Sequence, residues 1–380
     1  MEVRWRGRLL VPLVLAAACG GVLAALPAGG QTASPGALLP VATPVADCFA
    51  PATAQAADPA RSPWFTVRPR EDSRGALMGH VLRLAGRGAL AGIELPPESF
   101  GAGPFGESVL VGADDGRAST VRLVSPASGC DRVLIHSDQL VRRATIDRAR
   151  RLLITFRLDR AQRTDQGVWA APLDAPDTAQ VLLPPLPMSD DDLARFGPTF
   201  ATDLLWSQNG ERLVVQSCGE WQCRFRIVEP ASGQTWTLAG DGLGDAIGLD
   251  GDHLVTSAAC GGMPCPVVRT DIATGEQVEL VEAAGPATMT RLRGDPVVAA
   301  DLVDGLAIVD LATGAARTLM LPATIPGLRL AVGGGSGGLG LPPGWIGLAA
   351  EGRLPEPLRG GRAFAFDLDS TRLVSLLGGA

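Results

Sequence analysis

The sequence predicts an all-β propeller of six four-stranded antiparallel blades, with seven blades as the alternative. Three observations carry this reading. Two cysteine pairs, Cys218/Cys223 and Cys260/Cys265, recur at the same spacing of 42 residues (218 to 260 and 223 to 265). The turn after each pair repeats with it, Glu229-Pro230-Ala231-Ser232-Gly233 against Asp271-Ile272-Ala273-Thr274-Gly275. A period near 40 residues with four short strands per unit is the signature of a propeller blade. Composition agrees: 48 glycines and 30 prolines in 380 residues suit a turn-rich β protein, and no long helical periodicity appears.

The chain divides into three parts. Residues 1–30 read as a targeting segment. Arg4, Arg6 and Arg8 precede an apolar run from Leu9 to Leu26, and Ala28-Gly29-Gly30 offers a cleavage site before Gln31. That is the order of a secretory signal peptide. The run also reaches the threshold length of a spanning helix, about 18 residues, so an uncleaved anchor is a second reading. Leu15-Ala16-Ala17-Ala18-Cys19 resembles a loose bacterial lipobox, which makes Cys19 a candidate lipidation site and a third reading. Residues 31–63, rich in Ala, Pro and Thr without periodicity, read as a linker. Residues 64–380 read as the propeller.

Within the propeller each unit runs in one order: an inner strand, a turn with Asn or Asp and Gly, a second strand, a hairpin, a third strand, a D-x-A-[ST]-G turn and a fourth strand. The clearest copy is Leu205-Trp206-Ser207-Gln208-Asn209-Gly210-Glu211-Arg212-Leu213. Asn209-Gly210 between apolar runs predicts a type I′ turn with positive φ at both residues. Asp250-Gly251 holds the same place one blade later. The second turn recurs at Ser125–Gly129, Asp310–Gly314, Asp367–Thr371 and, weakly, Leu173–Asp177. Asp opens such a turn by accepting from backbone amides, and Gly closes it at low steric cost. These marks place blade starts near residues 108, 141, 200, 245, 288 and 328. Strand-like runs in 64–95, such as Gly79–Leu84, supply either a seventh blade or a ring-closing strand.

The W-S-x-[DN]-G-x-x-L element at 206–213 resembles the repeat of TolB-type propellers. The D-[LI]-A-T-G turns are similar to those of YVTN-type surface-layer propellers and of quinoprotein repeats. The resemblance covers residues 108–377, most clearly 200–320. It implies a WD-like blade repeat and no particular activity, because a propeller is a scaffold for many functions.

Charge and cysteine content bound the class further. All 33 basic residues are arginine, and tyrosine is absent. Lysine Schiff bases and tyrosine general acids are therefore excluded. The net charge is −7, and without Glu2, Arg4, Arg6 and Arg8 there remain 30 arginines against 39 acids. An acidic surface without basic clusters argues against nucleic acid and against anionic membrane surfaces as partners; membrane contact is expected only through the N-terminal segment. Setting Cys19 aside, Cys48, Cys130, Cys218, Cys223, Cys260 and Cys265 are an even set, which in an exported chain reads as three disulfides. Fifteen connectivities exist. Hairpin spacing makes 218–223 and 260–265 the local pairs and leaves Cys48 for Cys130. A four-thiolate zinc site from the two C-x4-C pairs is disfavoured by the oxidising compartment and by the wider spacing.

The candidate chemical motifs mostly dissolve in context. Gly334–Gly338 matches G-x-S-x-G around Ser336, but Pro342 and Pro343 block a following helix and His80, His136 and His253 all lie upstream. Gly335, Gly337 and Gly340 match G-x-G-x-x-G, and the same prolines remove the helix N-terminus a phosphate needs. Trp236 reads as blade packing, and Asp190–Asp192 as a solvated loop. The oxygen-rich stretch Gly240–Asp245 with Asp250 and Asp252 is a candidate calcium loop. No catalytic residue, cofactor-binding residue or other metal ligand is assigned. The expected function is a non-catalytic binding or interaction scaffold, secreted or attached to the cell envelope, with a protein or glycan partner there. The alternative is a propeller hydrolase or lyase whose acids and arginines converge on the central channel.

Overall fold

The computed structural model describes residues 64–71, 77–86, 89–95, 100–105, 108–125, 130–147, 150–186, 200–218, 223–239, 243–258, 264–321, 328–330, 343–350 and 363–375. The expectations placed on residues 1–63, including Cys19 and Cys48, lie outside them. Among the described residues, seven antiparallel sheets follow one another along the chain, six of them four-stranded. The six blades are β4–β7 (Phe100–Phe105, Ser108–Asp114, Ser119–Ser125, Cys130–Ser137), β8–β11 (Leu140–Asp147, Leu152–Leu158, Asp165–Pro172, Gln180–Leu183) and β12–β15 (Phe200–Trp206, Leu213–Cys218, Cys223–Glu229, Gln234–Ala239). They continue with β16–β19 (Leu243–Asp250, His253–Ala258, Cys265–Asp271, Gln277–Ala283), β20–β23 (Ala287–Leu292, Asp295–Leu302, Gly305–Asp310, Ala316–Leu319) and β24–β27 (Leu328–Leu330, Trp345–Ala350, Ala363–Asp367, Leu373–Ser375). Ahead of them β1 (Trp64–Glu71), β2 (Leu77–Gly86) and β3 (Ala89–Leu95) make a three-stranded sheet, a meander rather than one closing strand, with β1 lying against β4. Among the described residues the single helical piece is a 3₁₀ turn, Pro176–Thr178.

Five of the six expected blade starts fall within two residues of an observed first strand. The exception is the first blade, which starts at Phe100 and not near 108. Its inner strand reads Phe-Gly-Ala-Gly-Pro-Phe and slips register between Gly101 and Pro104. Glycine and proline erase the alternation that announces a strand.

The core is laid down between blades. Each strand sends alternate side chains to opposite faces, and in the middle strands of the second to fifth blades both faces are covered by a neighbouring blade. In β13, Leu213 and Val215 join Leu140, Ile154, Phe156 and Val168 of the preceding blade. The intervening Val214 joins Phe225, Ile227, Leu249 and Leu254 on the other side. Three further layers repeat this between blades one and two, four and five, and five and six. Middle strands such as β13 and β14 are therefore buried almost throughout, and their polar residues Gln216, Ser217, Arg224 and Arg226 are buried with them. Each fully buried aliphatic or phenylalanine side chain contributes roughly 1.5–3 kcal/mol.

The turns explain the repeated motif. In the copy at Asp271, the carboxylate accepts from the Thr274 N–H at 2.7 Å and the Ala273 N–H at 3.0 Å, while the Gly275 N–H donates to the Asp271 carbonyl at 2.8 Å. Asp310–Gly314 repeats this, and both glycines hold positive φ, +75° and +72°. The Leu or Ile just after the third strand donates its N–H to a carbonyl at the start of the second strand of its own blade and buries its side chain, as Leu173, Ile272, Leu311 and Leu368 all do. Pro230 has no N–H to give, so the third blade lacks this tie.

One turn assignment is corrected. Asn209-Gly210 is not a type I′ turn: the loop spans four residues, closed by the Ser207 N–H donating to the Arg212 carbonyl at 2.8 Å, and only Gly210 has positive φ. The Asn209 side chain instead bridges the Ser207 hydroxyl and the Glu211 backbone. Positive φ at both central residues occurs at Arg293-Gly294, +56° and +97°, between the paired residues Leu292 and Asp295. In the last blade Thr371 takes the glycine place of the motif with φ +56°, a conformation that costs a residue with a Cβ about 1–2 kcal/mol. Thr371→Gly is therefore expected to stabilise the domain by about 0.5–1 kcal/mol. A higher urea midpoint at unchanged slope supports this; a lower midpoint refutes it.

A second expectation concerns glycine. At Gly275 a Cβ would meet nothing within 4 Å, whereas at Gly305 (φ +146°) it would lie 2.6 Å from the Leu319 carbonyl oxygen. Gly275→Ala should cost about 1 kcal/mol through φ alone, and Gly305→Ala clearly more. Equal losses in thermal unfolding would contradict the difference in packing.

Candidate functional site

The strand order places two kinds of loop at opposite ends of each blade. The repeated Asn/Asp-Gly and Asp-Thr-Gly turns share one face. The hairpins between second and third strands share the other face, where the inner strands also begin. Arg142 and Arg143 on β8 and Asp245 on β16 lie in the first half of an inner strand, toward this hairpin face, and Asp203 on β12 and Arg329 on β24 lie at the middle of theirs. This ring of charge from four blades is the candidate site. Burial lowers the pKa of Arg143 and the charge of Asp203 opposes that, so the two act on one another across the blade boundary.

Three polar links among the described residues at this face tie one blade to the next. Asp114 at the end of β5 accepts both arms of Arg160 from the next blade, at 2.9 and 2.8 Å, and binds the Ser119 hydroxyl. Ser119 in turn accepts from the Val141 N–H at 3.0 Å. Burial pushes the Asp114 carboxyl up, but the bonds from Arg160, Ser119 and the Gly116 N–H outweigh it and hold it below the ordinary carboxylate range. In the third blade Gln216 accepts from the Ala246 N–H at 2.8 Å and donates to Asp245 at 2.7 Å. In the fifth, Asp301 accepts from the Leu330 N–H at 3.0 Å. On the opposite face Arg212 reaches Asp252 at 2.6 Å, Arg291 pairs with Asp250, and the Trp206 indole donates to Thr145 at 3.1 Å.

The disulfide Cys218–Cys223 is present, with Cα atoms 4.0 Å apart across paired positions of β13 and β14. Cys265 is also disulfide-bonded; Cys260 lies outside the described residues. Cys130 opens β7, and Cys48 lies outside the described residues. The calcium loop does not assemble from its described acids. Asp245 sits near the start of β16 and is held by Gln216, whereas Asp250 and Asp252 sit at the far end in ion pairs with Arg291 and Arg212. Ser336 with its glycines, Asp190–Asp192 and Asp241 lie outside the described residues. Trp236 packs on the layer between the third and fourth blades beneath Arg212, whose guanidinium lies 4.6 Å from the ring. The histidines fall on three separate sheets: His80 on β2, exposed His136 on β7, and half-buried His253 on β17 opposite Asp271.

Sequence reasoning missed Asp114–Arg160, Gln216–Asp245 and Asp301. A signal existed for two of them. Gln216 in Leu-Val-Val-Gln-Ser and Asp301 in Val-Val-Ala-Ala-Asp-Leu are lone polar residues inside apolar strands, and such a residue when buried needs a partner.

No protein-family model matches the chain, and no curated protein sequence does. Solved structures of similar shape include a prolyl endopeptidase (TM-score 0.52, 12% identity, 86% of this chain and 52% of that one). Puromycin hydrolase is another (TM-score 0.51, 15% identity, 84% and 55%). TolB from Acinetobacter baumannii is a third (TM-score 0.41, 10% identity, 83% and 79%). The chain spans about half the length of the first two. The likeness is one of fold: the chain is a β-propeller.

Proposed function

We propose that this chain is an extracytoplasmic binding scaffold, a rigid ring whose loops recognise a protein or glycan of the cell envelope. One observation carries the reading. Polar side chains at the hairpin face tie one blade to the next, as in Asp114–Arg160, Gln216–Asp245 and Asp301–Leu330. Groups so engaged hold loops in place, and loops on a rigid frame are the usual place for recognition. The Cys218–Cys223 disulfide supports an oxidising compartment.

The second reading, a hydrolase or lyase, is favoured by Arg143 and Asp203, an opposite-charge pair on adjacent inner strands. Cross-linking of the purified domain in an envelope preparation separates the two. Saturable capture of one partner, with cross-links confined to loops of one face, supports the scaffold. Turnover of an envelope peptide or oligosaccharide that disappears in Arg143→Ala and Asp203→Ala supports the enzyme.

A further inference from the structure

We propose that Cys218, Cys223 and Asp245 form a metal site that becomes available when their disulfide is reduced, taking a borderline divalent cation such as zinc. The two sulfurs and an Asp245 carboxylate oxygen lie within 4.8 Å of one another. Gln216, buried to 3% exposure, aims its amide at all three. It donates to Asp245 Oδ1 at 2.7 Å and to Cys218 Sγ at 3.0 Å, with Cys223 Sγ at 3.8 Å, while its oxygen is fixed by the Ala246 N–H. Asp245 is exposed and Cys223 is buried, so solvent reaches the trio from the carboxylate side.

The duplicated hairpin supplies an internal comparison. Cys260 and Cys265 repeat the cysteine spacing 42 residues on, but the positions matching Gln216 and Asp245 at that offset are Ala258 and Ala287. A disulfide needs neither a carboxylate nor an amide beside it. A thiolate metal site does need a third ligand and a group to orient it. Of the two hairpins, that of the third blade has both at these positions.

The chemistry balances. A dithiol reductant gives two electrons and two protons, and is itself oxidised to a disulfide. The Cys218–Cys223 bond breaks to two thiols. The cation then displaces both thiol protons to water and is held by two thiolates at about 2.3 Å, one Asp245 oxygen and a water. Gln216 is a positioning residue, since its amide fixes Asp245 without being a ligand.

The test uses the whole domain, reduced anaerobically by a phosphine (which leaves as its oxide) and titrated with cobalt(II) alone. A thiolate-to-cobalt charge-transfer band is expected in the reduced protein and absent after reoxidation. Zinc should protect Cys218 and Cys223 from alkylation at least about tenfold more than Cys260 and Cys265, and Asp245→Asn should remove that difference while leaving the circular dichroism unchanged. Gln216→Leu should weaken cobalt binding yet keep the band. Equal protection of both pairs, indifference to Asp245→Asn, or loss of the β signal on reduction would each overturn the proposal.

Discussion

Phe225→Ala is expected to destabilise the domain by about 3–5 kcal/mol. The ring of Phe225 is fully buried and packs in the layer that joins the third and fourth blades, among Val214, Ile227, Leu243, Leu249, Leu254 and Ile272. Truncation loses the transfer free energy of the ring and leaves a cavity between two sheets. Backbone ladders fix both sheets, with Phe225 itself registered opposite Gln216 and Leu238, so neither can close readily on the void. Urea unfolding at neutral pH is the measurement. A loss below about 1 kcal/mol would mean that these blades do not share a packed layer.

Asp114→Asn should cost about 2–3 kcal/mol at neutral pH and should also change how stability depends on pH. The side chain of Asp114 is 2% exposed and that of its partner Arg160 24%, so removal of the charge strands a guanidinium that water only partly reaches. The folded carboxyl lies below its ordinary value. Its stabilisation is therefore fully present above the unfolded value, about 3.9, and fades as the pH falls through the lower folded value. Asp271, Asp310 and Asp367 act with the same sign, the first two chiefly through backbone N–H bonds from Thr274 and Thr313. The wild-type curve should thus fall below about pH 4, and the Asn variant should fall less steeply there. Parallel curves would show that Asp114 ionises alike in folded and unfolded chains.

The fold was legible because a blade writes itself locally. Asp271, Thr274 and Gly275 bond within five residues of one another, so the motif survives in sequence and recurs at Asp310–Gly314. Blade starts at 200 and 328 followed from such marks. The first blade was misplaced because Gly101, Gly103 and Pro104 leave no alternation to read. The candidate site was largely illegible because its bonds join residues of different blades: Arg160 and Asp114 lie 46 positions apart, and Gln216 and Asp245 lie 29 apart. Nothing in the local sequence of either partner names the other. The loop acids Asp245, Asp250 and Asp252 misled in the opposite way. They are close in sequence, but strand β16 carries them to opposite ends.

The most direct measurement is the mass of the envelope partner before and after prolonged incubation with the purified domain, taken alongside a binding titration. A binding scaffold gives a reversible, saturable complex and a partner of unchanged mass, with the same affinity in Arg143→Ala and Asp203→Ala. A shortened partner, released at a rate that those two substitutions abolish, would contradict it and make the ring of charge on the inner strands an active site.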